Sequence, residues 1–154
     1  MTTNPIKVGI VGVHPDKGWA TTAHIPALKA LPQFRITAVS HNRQDVAEAS
    51  ALKFGADRGH STTDELVNDP NVDLVVVTVK VPHHLELVSK ALEADKAVFS
   101  EWPLGMNLSD AEKMLAFATG REVRMLLGSP SKIREKLDEL YRELSKNPLV
   151  LMVL

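Results

Sequence analysis

The chain has 154 residues, of which 44% are apolar and 24% are charged, a composition that fits a single soluble globular domain. Its net charge of -1 argues against nucleic-acid and anionic-membrane partners. The sequence contains no run of 18 apolar residues, so it predicts no membrane-spanning helix. The absence of cysteine excludes disulfides, thiolate metal sites and a cysteine nucleophile, and with no secretory signal at the N-terminus a cytoplasmic location is expected.

Short runs rich in valine and isoleucine alternate with amphipathic stretches of helical length. This alternation is typical of a parallel sheet covered by helices on both faces, so the sequence predicts a doubly wound α/β fold in one domain. The predicted strands are Ile6–Val13, Arg35–Ser40, Ala56–His60, Asp73–Val79, Ala97–Ser100, Val123–Leu127 and Leu149–Leu154. The predicted helices are Trp19–Leu31, Gln44–Phe54, Pro82–Ala94 and Ser109–Ala118, with a short helix opening at Asp64. Ser109 and Glu112 have the spacing of a capping box.

The first predicted strand leads into a glycine-containing turn and then a helix, within the segment KVGIVGVHPDKGWA. A phosphate group can bind to the free N–H groups of a helix N-terminus in this context, as in Rossmann folds. We expect Gly12 and Gly18 at a pyrophosphate. A strict G-x-G-x-x-G is absent because His14 replaces the second glycine, so a plain structural turn is the alternative.

The second predicted strand ends at Ser40 and is followed by His41, Asn42 and Arg43. An NAD site usually has an acidic residue here, which binds both ribose hydroxyls. A cation with small donors suits the 2′-phosphate of NADP instead, with Arg43 as the ion partner and Ser40 or Asn42 as donors. The sequence therefore predicts NADP as the cofactor, with NAD as the second choice. A solvated arginine at a helix start is the alternative for Arg43.

A longer segment, DLVVVTVKVPHHLELVSKALEADKAVFSEWPLGMNLSDAEKML, follows AHIPALKALP and STTDELVNDPNVD. Together these segments resemble the glucose–fructose oxidoreductase, inositol dehydrogenase and MocA family over about residues 5–128. The KGWA turn and the Glu101-Trp102 pair are most similar to the branch that includes the fungal galactose-pathway repressor. That branch binds NAD(P) and is regulatory rather than enzymatic, so the resemblance implies a dinucleotide-binding domain.

The resemblance also assigns residues to the parts of a bound dinucleotide. It places four at the diphosphate: Gly12, Val13, Gly18 and Trp19. It places His41, Asn42 and Arg43 at the adenosine ribose. Along the nicotinamide half it places Val79, Lys80, Val81 and His84, with Glu101 and Trp102 beyond the fifth strand. Lys80-Val81 departs from the family's Pro-Asn, and Trp102 replaces the lysine of its Glu-Lys-Pro motif. Tryptophan cannot donate a charged hydrogen bond, which argues against hydride transfer with a sugar or polyol.

The segment after Leu127 differs from the family, which continues there into a substrate domain. Ile133, Leu137, Leu140 and Leu144 form one apolar stripe, which predicts a helix capped by Ser129 and ended at Asn147-Pro148. The strong helix formers and paired opposite charges of this predicted helix are typical of designed proteins. We therefore expect an NAD(P)-binding domain at 1–128, completed at 129–154 by a designed helix and strand. A natural short homologue is the alternative.

Other chemistries find no support in the sequence. The six histidines lack metal-ligand spacing, and there is no G-x-S-x-G nucleophile elbow. His24 could contact a substrate, although a packing role is favoured. Three functions stay open: a cofactor-binding module that is inactive alone, an active NADP-dependent sugar or polyol oxidoreductase, and a regulatory or scaffold protein. Neither a protein partner nor self-association is indicated.

Overall fold

A computed structural model of the protein describes residues 4–120, 125–128, 134–135, 138–139, 141–142 and 152–153. Within these residues the strands form one sheet in the order β3-β2-β1-β4-β5-β6-β7, and every neighbouring pair is parallel. The strands are β1 (Ile6–Val11), β2 (Phe34–Ser40), β3 (Arg58–His60), β4 (Leu74–Val77), β5 (Ala97–Glu101), β6 (Met125–Gly128) and β7 (Met152–Val153). The predicted doubly wound parallel sheet is confirmed.

The connecting helices follow the predicted positions closely. They are α1 (Ile25–Lys29), α2 (Gln44–Phe54), α3 (Thr63–Val67), α4 (His84–Glu93) and α5 (Leu108–Gly120). A π-helical turn at Ala20–His24 leads into α1, and a 3-10 turn at Val81–His83 leads into α4. Pro82 stands in the first turn before α4, where its missing N–H costs no hydrogen bond.

The sheet has a core on each face because successive side chains of a strand point to opposite sides. In β4, Leu74 and Val76 pack with α1 and α2, whereas Val75 and Val77 pack under α3, α4 and α5. All four side chains are fully buried. This two-sided burial explains why the strands have continuous apolar runs instead of an alternating pattern.

Two helix starts differ from the sequence expectation. The short helix α3 begins at a capping box, in which Glu65 N donates to Thr62 Oγ1 and Thr62 N donates to the Glu65 carboxylate. The helix does not open at Asp64. The predicted capping box at Ser109 is wrong, because Asp110 N donates to Asn107 Oδ1 at 2.9 Å. Leu108 is already helical, so the cap must precede it, and asparagine is a favoured cap residue.

The C-terminal segment, where it is described, contacts the residues at the start of β2. Residues 134–135, 138–139 and 141–142 are helical. Gln33 Nε2 donates to Asp138 Oδ1 at 2.8 Å, and the Tyr141 ring meets Phe34 edge-on at 6.1 Å. The last strand, β7, pairs with β6. Other predicted positions lie outside the described residues: Ser129, Ile133, Leu137, Leu140, Leu144 and Asn147-Pro148. The domain bounds and the designed origin stay predictions.

Asp69 ties the connection between α3 and β4 to strand β3. Its side chain is 2% exposed, and it accepts hydrogen bonds from Asn71 N at 2.8 Å and from His60 Nε2 at 3.1 Å. The Arg58 guanidinium lies 3.9 Å away. Burial alone would raise the pKa of Asp69, but the two hydrogen bonds and the nearby cation outweigh it, so the pKa is lowered. The folded state therefore favours the carboxylate.

We expect Asp69→Asn to lower the free energy of unfolding by about 1–3 kcal/mol near neutral pH, because a charge-assisted hydrogen bond is lost. The folded pKa lies below the unfolded value, which is close to the ordinary 3.8. The stabilisation is therefore present above that value and disappears as the pH falls through the folded pKa. Urea unfolding of both proteins from neutral pH to about pH 2 measures this difference. A difference that is the same at every pH would contradict the assignment.

Candidate functional site

A cavity of about 510 Å³ opens at the carboxyl edge of the sheet, beside the ends of β1, β2 and β4. The strand order reverses here, since β2 and β3 lie on one side of β1, and β4, β5 and β6 lie on the other. Ligands of open α/β sheets bind in the crevice at this switch point. Five residues predicted at the site line the cavity: Gly12, Ser40, His41, Asn42 and Val79.

The turn after β1 is closed by hydrogen bonds to the end of β2. Gly12 N and Val13 N both donate to Ser40 O at 3.0 Å. These two N–H groups are therefore engaged within the protein, and the Val13 side chain is fully buried in the core. The N–H groups that a phosphate could use lie further along, at the start of the helical turn beginning at Ala20, before Thr22 N, which already donates to Gly18 O at 3.2 Å.

Both predicted glycines of the turn have a positive φ, +88° at Gly12 and +98° at Gly18. A Cβ atom at Gly12 would lie 2.6 Å from Val79 Cγ1, so this glycine allows the turn to approach the end of β4. A Cβ atom at Gly18 would meet no described atom within 4 Å. Gly18 thus faces open space at the start of a helix, as a phosphate-binding turn requires.

The residues after β2 form a positively charged rim. The His41 ring meets His14 edge-on at 5.9 Å, and His41 Nδ1 accepts a hydrogen bond from Arg43 N at 3.2 Å. Burial lowers the pKa of His41, and its neighbours His14, Arg43 and Lys17 lower it further, while Asp45 opposes them. The Arg43 guanidinium is exposed and forms an ion pair with Asp45. The excess of cations around His41 suits an anionic ligand.

His84 connects two loops at the other end of the crevice. It is 1% exposed, and its Nε2 lies 2.9 Å from Val79 O. Its Nδ1 lies 3.1 Å from both Pro103 O and Leu104 O. Both ring nitrogens thus face the main chain, and the ring does not line the cavity. Lys80 and Val81, which were predicted beside it, also lie outside the cavity lining.

Glu101 ends β5 and is paired with a buried histidine from the first helical segment. Its Oε1 lies 2.6 Å from His24 Nε2, and the His24 ring is fully buried with an edge-on contact to Phe99 at 5.6 Å. The π-helical turn ends at His24, and such turns are frequent at functional sites. The neighbouring Trp102 is 66% exposed, and Trp19 is 44% exposed. His24 is therefore a packed residue that also holds Glu101.

The outer rim of the cavity was not predicted from the sequence. It comprises residues from the start of α3 and one side of α4: Ser61, Thr62, Thr63, Asp64, His83, Glu86, Leu87 and Lys90. Lys90 Nζ lies 3.0 Å from Asp64 Oδ2 and 3.1 Å from Glu86 Oε1, and these partners raise its pKa. The capping box at Thr62 was the available signal, because it follows β3 and must lie at the same sheet edge.

Two features are absent from the part of the chain that the structure describes. Among them, no group of three or more His, Asp or Glu side chains could hold a metal ion. None of the described helices combines the length and apolarity that a bilayer crossing demands. The ligand groups available at the crevice are therefore backbone N–H groups, histidines, hydroxyls, carboxylates and the cations at its rim.

Comparisons with known proteins agree with this geometry. A family model described as an oxidoreductase family with an NAD-binding Rossmann fold matches residues 6–129. Dehydrogenase aclE of Aspergillus oryzae is 39% identical and matches 89% of this chain but 40% of its own length. The galactose/lactose metabolism regulatory protein GAL80 of Saccharomyces cerevisiae is 32% identical over 86% of this chain and 34% of its own. The chain thus spans well under half of these relatives.

A solved structure shares the fold over nearly the whole chain. It is a 3-ketoreductase from Actinomadura kijaniata, crystallised with TDP-benzene and NADP, which superposes with a TM-score of 0.77 at 28% identity. The match covers 93% of this chain and 44% of that protein. The shared region is therefore the part that carries the glycine turn and the crevice.

We expect Gly12→Ala to be more destabilising than Gly18→Ala. Both substitutions place a side chain at positive φ, which costs about 1–2 kcal/mol, but only the first brings Cβ against Val79. A double-mutant cycle with Val79→Ala tests this, because the smaller residue removes the contact and leaves only the backbone strain. Urea unfolding should show Gly12→Ala destabilising less in the Val79→Ala background. Strictly additive effects would contradict the close approach.

Proposed function

The chain belongs to the oxidoreductase family with an NAD-binding Rossmann fold, and on that basis we propose that it holds NADP or NAD in the crevice without catalysing hydride transfer alone. The observation that carries this proposal is the cavity at the switch point of the sheet, beside a glycine turn that faces open space. A dinucleotide needs both features, since its diphosphate must approach the backbone closely.

The parts of a dinucleotide can be matched, one after another along the crevice, with described residues. The cavity between β2, α3 and α4 would take the adenosine half, with His41 and Asn42 near its ribose. The diphosphate would lie over Gly18 and the N–H groups of the following helical turn. The nicotinamide half would then cross β4 and β5 towards Glu101 and Trp102. When bound, the nicotinamide supplies the hydride chemistry of the family.

The 2′-phosphate of NADP would meet the positively charged rim after β2. His14, His41 and Arg43 lie there, and Asp45 is the carboxylate that opposes them. Arg43 must exchange its contact with Asp45 for the phosphate, and exposed ion pairs of this kind contribute little to stability. The exchange therefore costs little free energy, and we propose NADP as the preferred cofactor.

Two substitutions with opposite expected effects test the NADP preference. Arg43→Ala should weaken NADP binding by more than tenfold and NAD binding little, because a charge-assisted contact to phosphate contributes about 1.5–3 kcal/mol. Asp45→Asn should strengthen NADP binding by up to about fivefold, because it frees Arg43 and removes a like charge. Calorimetric titration with each cofactor measures both effects. Equal losses for NADP and NAD in Arg43→Ala would argue against this position of the phosphate.

The inactivity proposal rests on the groups at the nicotinamide end. Proton transfer to a substrate needs a free acid or base in the crevice. Here His84 faces three backbone carbonyls, His24 is fully buried, and Glu101 is bound to His24. Trp102 is exposed but offers only an indole N–H. The relatives named dehydrogenase and ketoreductase are longer chains, of which this one spans 40% and 44%.

Mixed with NADPH and a panel of sugars and polyol-derived ketones, the protein should cause no loss of absorbance at the nicotinamide band. The expected cause is that His84, His24 and Glu101 are engaged in contacts within the protein. The assay is paired with calorimetry showing that NADPH is bound, and with an unrelated ketoreductase as the positive control. A loss of absorbance proportional to protein concentration would instead favour the active oxidoreductase. That result would leave the binding proposal intact.

A further inference from the structure

The pair of His24 and Glu101 carries one negative charge, which follows from the hydrogen bonds of the imidazole. A hydrogen bond of 2.6 Å joins His24 Nε2 and Glu101 Oε1, and it needs one proton shared between the two atoms. His24 Nδ1 is buried and has no hydrogen-bond partner among the described residues. A proton on that nitrogen would be a buried, charged and unsatisfied donor, which is more costly than an unpaired acceptor. With one shared proton and none on Nδ1, the pair as a whole carries one negative charge.

This charge lies at the carboxyl end of β5, on the side of the sheet where the nicotinamide half of the proposed dinucleotide would extend. Glu101 follows Ser100, which pairs with Val77 at the end of β4. The Glu101 side chain is only 13% exposed, and His24 is its partner among the described ion pairs. Because the proposed adenosine half would occupy the cavity at the ends of β1, β2, β3 and β4, the other half of the dinucleotide would extend towards β5.

We propose that Glu101, positioned by His24, makes the site select the oxidised cofactor over the reduced one. The oxidised nicotinamide ring carries a positive charge, whereas the reduced ring is neutral. A poorly solvated carboxylate attracts that charge with little screening. The inference rests on the proposed dinucleotide binding and adds to it a preference between redox states, and therefore a shift in the redox potential of the bound cofactor.

His24 has a positioning role in this selection. Its imidazole holds the Glu101 carboxylate through the 2.6 Å contact, and the ring itself is fixed by its edge-on contact with the buried Phe99. Without this donor the Glu101 side chain can rotate towards water, where its charge is screened and the attraction is weakened. Substituting His24 should then reduce the redox preference while leaving the binding of the adenosine half unchanged.

Calorimetric titration of the protein with NADP+, NADPH and adenosine 2′,5′-bisphosphate tests the proposal. The wild type should bind NADP+ about tenfold more tightly than NADPH. Glu101→Gln should bring the ratio of the NADP+ affinity to the NADPH affinity close to one, mainly by weakening the binding of NADP+. It should leave the affinity for the bisphosphate unchanged. The amide can still accept from His24, so the fold should be retained. Glu93→Gln, which removes a charge from an exposed position of α4, is the matched control and should keep the wild-type ratio.

A second pair of variants separates positioning from simple packing. His24→Leu should lower the ratio, and His24→Gln, whose amide can still donate, should restore part of it. A structural role alone would weaken all three ligands together and lower the melting temperature in both variants.

The wild-type ratio decides the matter even if a variant fails to fold. NADPH binding as tightly as NADP+ to the wild type, with the bisphosphate bound normally, would overturn this inference alone. An unchanged ratio in a folded Glu101→Gln protein would do the same. If none of the three ligands binds, the proposed function is wrong and the redox preference is wrong with it.

Discussion

The parallel direction of the strands is the constraint on which the whole site depends. It brings the carboxyl end of every strand to one edge of the sheet, so the residues that follow β1, β2, β3, β4 and β5 meet although they are far apart in the chain. Parallel strands also require helical crossovers, which cover both faces and leave this edge open. The crevice at the switch point is a consequence of that topology.

Close packing then couples parts of the crevice that lie far apart in the sequence. Gly12 belongs to the first turn and Val79 to the end of β4, yet a single methyl group at position 12 would bring them within 2.6 Å. The same turn is held to the end of β2 by Ser40 O, which accepts two N–H groups. A change in one loop therefore moves its neighbours, because interiors at this density have little room to relax.

The histidines show how one residue type takes different roles in different surroundings. His84 and His24 are both buried, but the first faces backbone carbonyls and the second faces a carboxylate. His41, by contrast, lies at the rim of the cavity among cations. Because imidazole can donate and accept, its partners decide whether it ties loops together, positions an acid or meets an anion. The resemblance assigned His84 to the groove, whereas its ring connects two loops.

The sequence by itself determined the fold class, most element positions and the glycine turn, because these depend on local periodicity and turn chemistry. It also marked Ser40, His41 and Asn42 beside the crevice, since residues after a buried parallel strand must lie at one edge. Only the tertiary structure decided the partners: Arg43 with Asp45, His24 with Glu101, and Lys90 with Asp64. The last two pairs join residues 77 and 26 positions apart in the chain, and no local pattern encodes which distant residues the fold brings together.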